Sequence, residues 1–201
     1  APPPDEAIAV SLFGYDNPRV GSLCDAWATG RRDVVVAVPP GPLREGVCRY
    51  FGNAGGRDGT VQRRGRFEAR FIPFLSQDRY DELLWSCDWN FVRGEDSFVR
   101  AQWAAQPMVW HIYPQQEDAH RAKLDAFLDD YTRGVEPPLA EALSGFWRGW
   151  NGLEAFRPET WETLQSGFDA WRQHAARRAS ELAARPDLAS ELANFCLERL
   201  K

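Results

Sequence analysis

The chain has 201 residues, of which 44% are hydrophobic and 26% are charged, the balance of an ordinary globular protein. This length allows one domain or two small ones, and the composition excludes a chain that is disordered throughout. The net charge of −5 argues against binding to a nucleic-acid backbone. No apolar run approaches the ~20 residues that a membrane-spanning helix needs, so neither nucleic acid nor membrane is expected as a partner.

The N-terminal sequence and the cysteines indicate a cytoplasmic protein. Ala1 to Glu6 show no basic patch followed by an apolar stretch, so no signal peptide is predicted. The four cysteines are scattered, with no CxxC pair and no nearby pair of histidines, which argues against a zinc site and against a disulfide framework. We predict buried thiols and no bound metal, the cysteines being Cys24, Cys48, Cys87 and Cys196.

Strand-like and helix-like segments alternate over the first two thirds of the chain. The β-branched run of Asp33–Val38, for example, is typical of a strand buried on both faces. In chain order the predicted elements are a strand at Ala7–Gly14, a helix at Arg19–Thr29, a strand at Asp33–Val38, a short helix near Leu43–Phe51, a loop or hairpin at Gly52–Gly65, a strand at Phe67–Phe74, a helix capped by Ser76 that ends near Trp85, a strand at Asp88–Val92, a helix that ends near Ala105, a strand at Pro107–Tyr113 and a helix from Glu117 to about Arg133.

Strands separated by helices of ~10 residues indicate βαβ units with right-handed crossovers. The predicted fold is therefore α/β, a Rossmann-like parallel sheet with helices on both faces, over residues 1–136. After Pro137-Pro138 the pattern is helical only, which predicts a tail over residues 137–201 with helices at Leu139–Trp150, Pro158–Ala184 and Asp187–Leu200. The aromatic residues of this tail pack on the same domain or offer a surface to a partner: Phe146, Trp147, Trp150, Trp161 and Trp171.

Ligands of open parallel sheets bind beyond the carboxyl ends of the strands, which places the loops after Gly14, Phe74, Val92 and Tyr113 on one rim. The loop after Val92 carries the most informative residues, because a buried strand ends there in an arginine, a glycine and two acids, and a helix follows at once. A helix N-terminus offers free backbone N–H groups and partial positive charge, which suits a phosphate.

Each residue of that loop has a possible part in binding. Arg93 could fork onto phosphate oxygens, and Gly94 would let the backbone approach a ligand closely. Ser97 could cap the helix or donate to a phosphate, and Glu95 could hold sugar hydroxyls or stabilise positive charge. A structural alternative is equally open, in which acidic first-turn residues and a salt bridge of Arg93 only stabilise the helix start.

Aromatic and amide groups follow the neighbouring strands. Phe74 could face a base while Gln77 pairs with the edge of that base through its donor and its acceptor. Phe13 could act in the same way at the end of the first strand, although Phe13 and Phe74 could instead belong to the core. His111 could be a general base, but no nucleophile is paired with it, so a histidine with a structural role is favoured. His120 and His174 are predicted on helix surfaces.

Four stretches of this rim together resemble one family. They are Arg93-Gly94-Glu95-Asp96-Ser97-Phe98-Val99-Arg100-Ala101-Gln102-Trp103, Trp110-His111-Ile112-Tyr113-Pro114-Gln115, Phe74-Leu75-Ser76-Gln77 and Phe13-Gly14-Tyr15. Over essentially its whole length the chain resembles the C-terminal half of EarP, the arginine rhamnosyltransferases of bacterial elongation factor P. The resemblance implies half of an inverting glycosyltransferase with two Rossmann-like domains, the GT-B architecture. It also implies TDP-β-L-rhamnose as donor, an arginine of elongation factor P as acceptor, and no metal or cofactor.

The resemblance further implies roles for individual residues, because the C-terminal domain of the family holds the donor. The residues that match positions around the thymidine are Tyr15, Phe74 and Gln77, with Phe13 as a neighbour. The residues that match positions around the diphosphate are Arg93, Asp96, Ser97 and Tyr113. Glu95 matches an acid beside the sugar that the family needs for activity, and it would orient either the sugar or the acceptor guanidinium.

The N-terminal domain of the family, with its catalytic aspartates and much of its acceptor surface, has no counterpart in this sequence. The chain also begins without a methionine. We therefore expect the donor-binding part of a longer enzyme, inactive by itself, with that N-terminal domain as a partner. The alternative is a noncatalytic nucleotide-binding or protein-interaction module.

Overall fold

The computed structural model of this chain describes residues 7–52, 56–115 and 119–199, in which six strands and nine helices are found. The strands are β1 (Ile8–Leu12), β2 (Val34–Val38), β3 (Val61–Arg64), β4 (Phe67–Phe71), β5 (Trp89–Arg93) and β6 (Met108–His111). The helices are α1 (Val20–Thr29), α2 (Pro42–Tyr50), α3 (Gln77–Ser86), α4 (Asp96–Trp103), α5 (Ala119–Tyr131), α6 (Pro137–Trp150), α7 (Thr160–Ser166), α8 (Phe168–Ala183) and α9 (Leu188–Arg199). Among these described residues, no helix combines the length and the apolar character needed to cross a membrane. The predictions made for Ala1 to Glu6, Glu117 and Leu200 lie outside the described residues.

The strands form one sheet in the order β3-β4-β2-β1-β5-β6. Every neighbouring pair is parallel except β3 and β4, which run antiparallel. The predicted α/β fold is therefore confirmed, and the hairpin alternative for Gly52–Gly65 is correct where β3 turns back into β4. β3 has only four residues, as is usual for an edge strand that must not recruit another chain.

A topological switch point lies between β1 and β5. The chain leaves β1 for β2 and β4 on one side, and returns to β5 and β6 on the other. Every residue of β1 and β6 is buried, as expected for strands covered by helices on both faces. Between the central strands, Ser11 Oγ donates to Asn90 Oδ1 at 2.6 Å, and these two residues are paired in register. A shift by one residue would break this buried bond, so it fixes the register where the loops after β1 and β5 meet.

Three strands end earlier than the sequence predicts, and the first of them, β1, ends at Leu12 instead of Gly14. β4 ends at Phe71, which is paired with the last residue of β2, and β6 ends at His111, which is paired with the last residue of β5. Beyond these pairs there is no neighbouring strand to continue the ladder. As a consequence, Phe74 and Tyr113 lie in loops on the rim instead of in strands.

Helices α6 to α8 pack against the aromatic residues of β5. Trp161 stacks on Trp89 with 4.0 Å between ring centroids, and Trp171 meets the same ring edge-on at 4.5 Å. Trp150 meets Phe91 edge-on at 5.2 Å. All five aromatic residues singled out in the tail are buried, so their interpretation as a partner-binding surface is wrong. The predicted boundary at residues 136 and 137 stays a prediction.

The last helix, α9, differs from the rest of the tail because none of its residues is buried. Leu188, Leu192 and Phe195 are exposed on one face of it. Cys196 on this helix is also exposed, so the prediction of buried thiols is wrong there, although Cys24 and Cys87 are buried. All four cysteines are free thiols.

Candidate functional site

The loops after β1, β2, β4 and β5 surround a cavity of about 360 Å³ next to the switch point. Open α/β sheets bind their ligands at this position. We call it the aromatic cleft, and its lining includes Phe13, Pro39, Pro40, Phe74, Gln77, Tyr80, Arg93, Asp96, Ser97 and Arg100. The structure thus brings together six of the nine predicted site residues. A larger hollow of about 770 Å³ lies beside α2, but no aromatic ring lines it.

Phe74 presents its ring openly at the aromatic cleft, with 84% of the residue exposed. The core alternative for this residue is therefore wrong, whereas Phe13 is half-buried beside it. Gln77 is the first residue of α3 and is exposed, so its amide is free to reach a ligand. Tyr80 follows one turn later on the same helix and meets Phe13 edge-on at 5.7 Å. One side of the cleft therefore carries rings and one amide.

Arg93 lines the same cleft, at the last position of β5. Its guanidinium lies 4.4 Å from the ring centroid of Phe13 and 5.0 Å from that of Tyr15. One of its nitrogens also lies 3.5 Å from the carbonyl oxygen of Gly14. Within the described residues no carboxylate pairs with Arg93, so the salt-bridge alternative is wrong. Two aromatic faces hold the guanidinium and leave donors for an anion.

Ser97 does not cap the helix as predicted. α4 begins at Asp96 with Glu95 in the N-cap position, and no side chain makes a capping bond there. The Ser97 hydroxyl instead accepts from the Arg93 N–H at 3.2 Å and donates to the carbonyl oxygen of Arg93. Ser97 is 7% exposed, and its hydroxyl closes the turn that carries Arg93. A contact of Ser97 with the donor stays a prediction.

Asp96 and Arg100 form a charged pair at the start of α4. Arg100 Nε donates to Asp96 Oδ2 at 2.9 Å, while Arg100 Nη1 donates to Asp81 Oδ2 at 2.8 Å. The arginine offsets the charge of the carboxylate that stands next to the cleft, and it ties α4 to α3. The group of Asp96 that could meet an anion is its backbone N–H in the first turn of the helix.

Glu95 and Tyr113 line a second cavity, on the other side of the turn formed by residues 93–97. We call this cavity the Glu95 cleft, and its volume is about 320 Å³. Its floor is apolar, with Phe98, Trp110 and Ile112, while Lys123 stands on its border. The predicted catalytic acid is therefore separated from Phe74, Gln77 and Arg93 by the backbone of one turn, whereas Tyr113, a predicted diphosphate ligand, lines the same cavity as Glu95.

Tyr15 lies between the two clefts. Its ring meets Tyr113 edge-on at 5.4 Å and His111 edge-on at 5.3 Å, and it faces the Arg93 guanidinium. Burial raises the pKa of the Tyr15 hydroxyl, and Arg93 acts in the opposite direction. Tyr113 itself is 60% exposed, so its hydroxyl is available at the rim.

His111 is buried beneath this rim, and its contacts indicate a structural role. It is 7% exposed, and its Nδ1 would lie 3.2 Å from a Cβ atom placed on Gly14, so only glycine fits this loop without displacement. Burial, with smaller contributions from Arg19 and Arg93, lowers the pKa of His111 to about 4. The imidazole is therefore neutral at pH 7, and no nucleophile faces it.

The surface positions predicted for the other two histidines are wrong. His174 is 3% exposed and its ring contacts Tyr131 edge-on at 5.3 Å, while His120 is 8% exposed and accepts from the Gln115 N–H at 3.2 Å. Both lie on the side of a helix that packs on the core. A single histidine gives no periodic pattern that would show which side of the helix it occupies.

Several residues of the site escape the sequence analysis. Pro39 and Pro40 follow β2 and could have been found by the carboxyl-end rule, and Tyr80 by its helical spacing from Gln77. Trp110 contacts the turn from another strand and carries no local signal. Across the described ranges, no three side chains of His, Cys, Asp or Glu are grouped as metal ligands would be. The absence of a metal from the reaction stays a prediction.

Comparisons with known proteins identify the family of this chain. The family profile described as "Elongation-Factor P (EF-P) rhamnosyltransferase EarP" matches residues 1–197. A protein-arginine rhamnosyltransferase of Pseudomonas putida is 44% identical over 189 residues, which cover 94% of this chain and 50% of that protein. The Pseudomonas aeruginosa protein of the same name is 43% identical, over 92% of this chain and 49% of that protein.

A solved structure described as "Structural basis for EarP-mediated arginine glycosylation of translation elongation factor EF-P" is also similar. It has a TM-score of 0.87 and 40% identity, over 98% of this chain and 62% of the solved one. The chain spans about half the length of the curated relatives that it matches. With a family match over nearly all its residues, the chain belongs to the EarP family of elongation factor P rhamnosyltransferases.

Proposed function

We propose that this chain is the donor-binding part of a protein-arginine rhamnosyltransferase, and that it binds TDP-β-L-rhamnose for transfer to an arginine of elongation factor P. The observation that carries the proposal is the aromatic cleft at the switch point, where exposed Phe74 and unpaired Arg93 face one cavity. A nucleoside diphosphate is held by an aromatic ring that contacts its base and by a guanidinium that donates to its phosphates. The TDP moiety lies in this cleft.

The thymine ring is held by one amide and by aromatic contact. Phe74 stacks on it or covers its edge, and covering this exposed ring removes apolar surface from water. Gln77 pairs with the thymine edge, which offers a carbonyl oxygen and an N–H group in one plane. Tyr80 and Phe13 bound the pocket, so a single ring fits better than the larger purine.

The diphosphate lies across the turn of residues 93–97. Arg93 donates to its oxygens through the fork that Phe13 and Tyr15 hold in place. The free N–H groups at the start of α4 add a second set of donors. Together they stabilise the charge that grows on the leaving TDP when the bond from the sugar to the phosphate oxygen breaks. Tyr113 contributes its hydroxyl from the rim.

Glu95 faces the other cavity and serves the sugar or the acceptor arginine. A carboxylate next to a diphosphate opposes nucleotide binding, so its position is useful only for a cationic or hydroxyl-bearing group. The acceptor guanidinium has a pKa above ~12 and must lose a proton before its nitrogen attacks the sugar. That proton goes to groups outside this chain, in the remaining half of an enzyme of the relatives' length.

The test uses the chain alone, by calorimetry and thermal melting. TDP is expected to bind with one site and to raise the melting temperature, whereas ADP raises it less because a purine does not fit. Incubation of the chain with TDP-rhamnose and elongation factor P is expected to yield no rhamnosylated product. An enzyme of the relatives' length that contains this chain is expected to yield that product.

Two outcomes would overturn the proposal. Equal melting shifts from TDP and ADP would show that the cleft does not select thymine. Rhamnosylated elongation factor P formed by this chain alone would show that it is not merely the donor half. The alternative of a pure protein-interaction module predicts no response to any nucleotide.

A further inference from the structure

Glu95 is oriented by its backbone alone. Its carboxylate makes no capping bond to α4, and among the described residues it has no ion pair. The side chain is exposed on the border of the Glu95 cleft. The peptide group that follows Glu95 is held by α4, because the carbonyl oxygen of Glu95 accepts from the Val99 N–H at 3.0 Å. The remaining freedom lies in the peptide group that precedes it, which joins Gly94 to Glu95.

That peptide group is held by a side chain from another strand. Trp110 Nε1 donates to the carbonyl oxygen of Gly94 at 2.6 Å. The Gly94 N–H donates in turn to the carbonyl oxygen of His111 at 3.3 Å. A carbonyl and the following N–H lie in one rigid plane, so a bond to the Gly94 oxygen also fixes the nitrogen of Glu95, which helps to set the direction of its Cα–Cβ bond.

Without the indole bond this plane is free to turn. Gly94 has a φ of +61°, in the left-handed region that glycine reaches without strain. Rotation of the Gly94–Glu95 peptide changes ψ of Gly94 and φ of Glu95, and glycine, which has no Cβ atom, places no side-chain barrier on the first of these two angles. Because it moves the nitrogen of Glu95, such a rotation disturbs the placement of the Glu95 side chain, while Arg93 stays against the rings of Phe13 and Tyr15.

Trp110 is itself rigidly placed. It is 7% exposed, and its ring stacks on Phe98 with 4.1 Å between centroids. Its carbonyl oxygen accepts from Asn151 Nδ2 at 2.8 Å, so the first residue after α6 fixes its backbone. The indole N–H is thus presented at a defined point beside the turn.

We propose that Trp110 is a positioning residue for Glu95, whose indole N–H prevents the Gly94–Glu95 peptide from rotating. The inference rests on the proposed function in that Glu95 acts during transfer. It predicts a division of effects: the transfer step depends on the indole N–H, and nucleotide binding in the aromatic cleft does not. A residue that only filled space would affect both, or neither.

The test compares Trp110→Phe with replacement of Trp110 by benzothienylalanine, which keeps the bicyclic shape and removes only the N–H. Trp103→Phe, at a half-exposed position on α4, is the control. In an enzyme of the relatives' length, both changes at Trp110 are expected to lower kcat about tenfold, as loss of one hydrogen bond to a positioned group does. The dissociation constant for TDP, measured on this chain, is expected to change less than about threefold.

A spectroscopic measurement makes the inference independent of turnover. NMR relaxation dispersion of the Glu95 amide is expected to show microsecond-to-millisecond exchange in the variants and none in the unchanged chain. If the unchanged enzyme transfers no rhamnose, the proposed function fails, and the exchange measurement still decides the role of Trp110. A benzothienylalanine variant with unaltered kcat and with no microsecond-to-millisecond exchange at the Glu95 amide would overturn the inference. Equal losses of kcat and TDP affinity would also overturn it, since Trp110 would then hold the whole turn.

Discussion

The two clefts share one turn but differ in how their polar groups are used. In the aromatic cleft, Ser97 is bonded to Arg93, Asp96 is bonded to Arg100, and two aromatic rings hold the Arg93 guanidinium. In the Glu95 cleft, Glu95 has no partner among the described residues and Tyr113 is mostly exposed. A preorganised cleft suits a ligand that must be held before and after the reaction. Groups without a protein partner suit a ligand that binds only for the reaction.

A substitution of Glu95 tests this difference between the two clefts most directly. Glu95→Gln is expected to lower rhamnose transfer about 100-fold or more in an enzyme of the relatives' length, since the acid acts in the transfer step. TDP affinity of this chain is expected to stay unchanged or to rise slightly, because a negative charge near the diphosphate is removed. Turnover and calorimetry are measured on the same variant.

Glu159→Gln, at an exposed position before α7, is the matched control and should change neither quantity. If Glu95→Gln loses TDP affinity as severely as a change at Arg93 does, Glu95 holds the structure of the turn and the two clefts are not separate in function.

Lowering the pH tests the stability of the rim separately from its ligand chemistry. The pKa of His111 is about 4 in the folded chain and 6.5 when exposed. Above pH 6.5 the imidazole is neutral in both states and contributes nothing. As pH falls from 6.5 to 4, the unfolded chain takes up a proton that the folded chain does not, so the free energy of unfolding falls by ~3 kcal/mol.

Denaturant unfolding at pH 7 and pH 4.5 checks this expectation. His174 adds to the slope because burial also lowers its pKa. The difference between the unchanged chain and His111→Asn isolates the contribution of His111, since the variant lacks the titrating group. An identical loss of stability in both chains would contradict the account.

Arg93→Lys tests the aromatic cleft. Lysine cannot stack between Phe13 and Tyr15 and offers no planar fork, so TDP affinity is expected to fall by ~1.5–3 kcal/mol. Arg79→Lys is the control, since Arg79 is exposed and its ion-pair partner among the described residues is Glu82 on α3. Calorimetry that finds the affinity of Arg93→Lys intact would show that the phosphates lie elsewhere.

The smallest expected effect concerns the thymine edge. Gln77→Ala removes one net hydrogen bond and is expected to weaken TDP binding by ~1 kcal/mol. Selectivity between TDP and UDP should not change, because the amide reads an edge that both bases share. Gln62→Ala on the edge strand β3 serves as the control for loss of an amide. An unchanged affinity would place the base outside the reach of α3.

The sequence predicts the location of the site better than its internal contacts. The carboxyl-end rule brings the loops of Phe13, Phe74 and Arg93 together because strand order follows from βαβ connections. The direction of a single side chain depends on contacts that are distant in the chain. The bond from Trp110 to Gly94 spans 16 positions, and the Ser97 hydroxyl turns back to Arg93 instead of capping α4.

The extent of β3, which the sequence offers only as part of a loop or hairpin, and the buried positions of His120 and His174 escape prediction for a related reason. β3 is short and mostly exposed, so its sequence lacks an apolar run. For the histidines, burial is decided by how α5 and α8 lie on the core, which a local pattern does not contain.

The central claim is that the nucleotide occupies the aromatic cleft while the Glu95 cleft stays open for the reaction. Titration of the isotope-labelled chain with TDP, followed by NMR, tests it most directly. The account predicts the largest chemical-shift changes at Phe74, Gln77 and Arg93, with α9 unaffected. TDP-rhamnose should then add changes at Glu95 that TDP alone does not produce. Changes confined to the hollow beside α2, or an absence of changes at saturating TDP, would contradict the account.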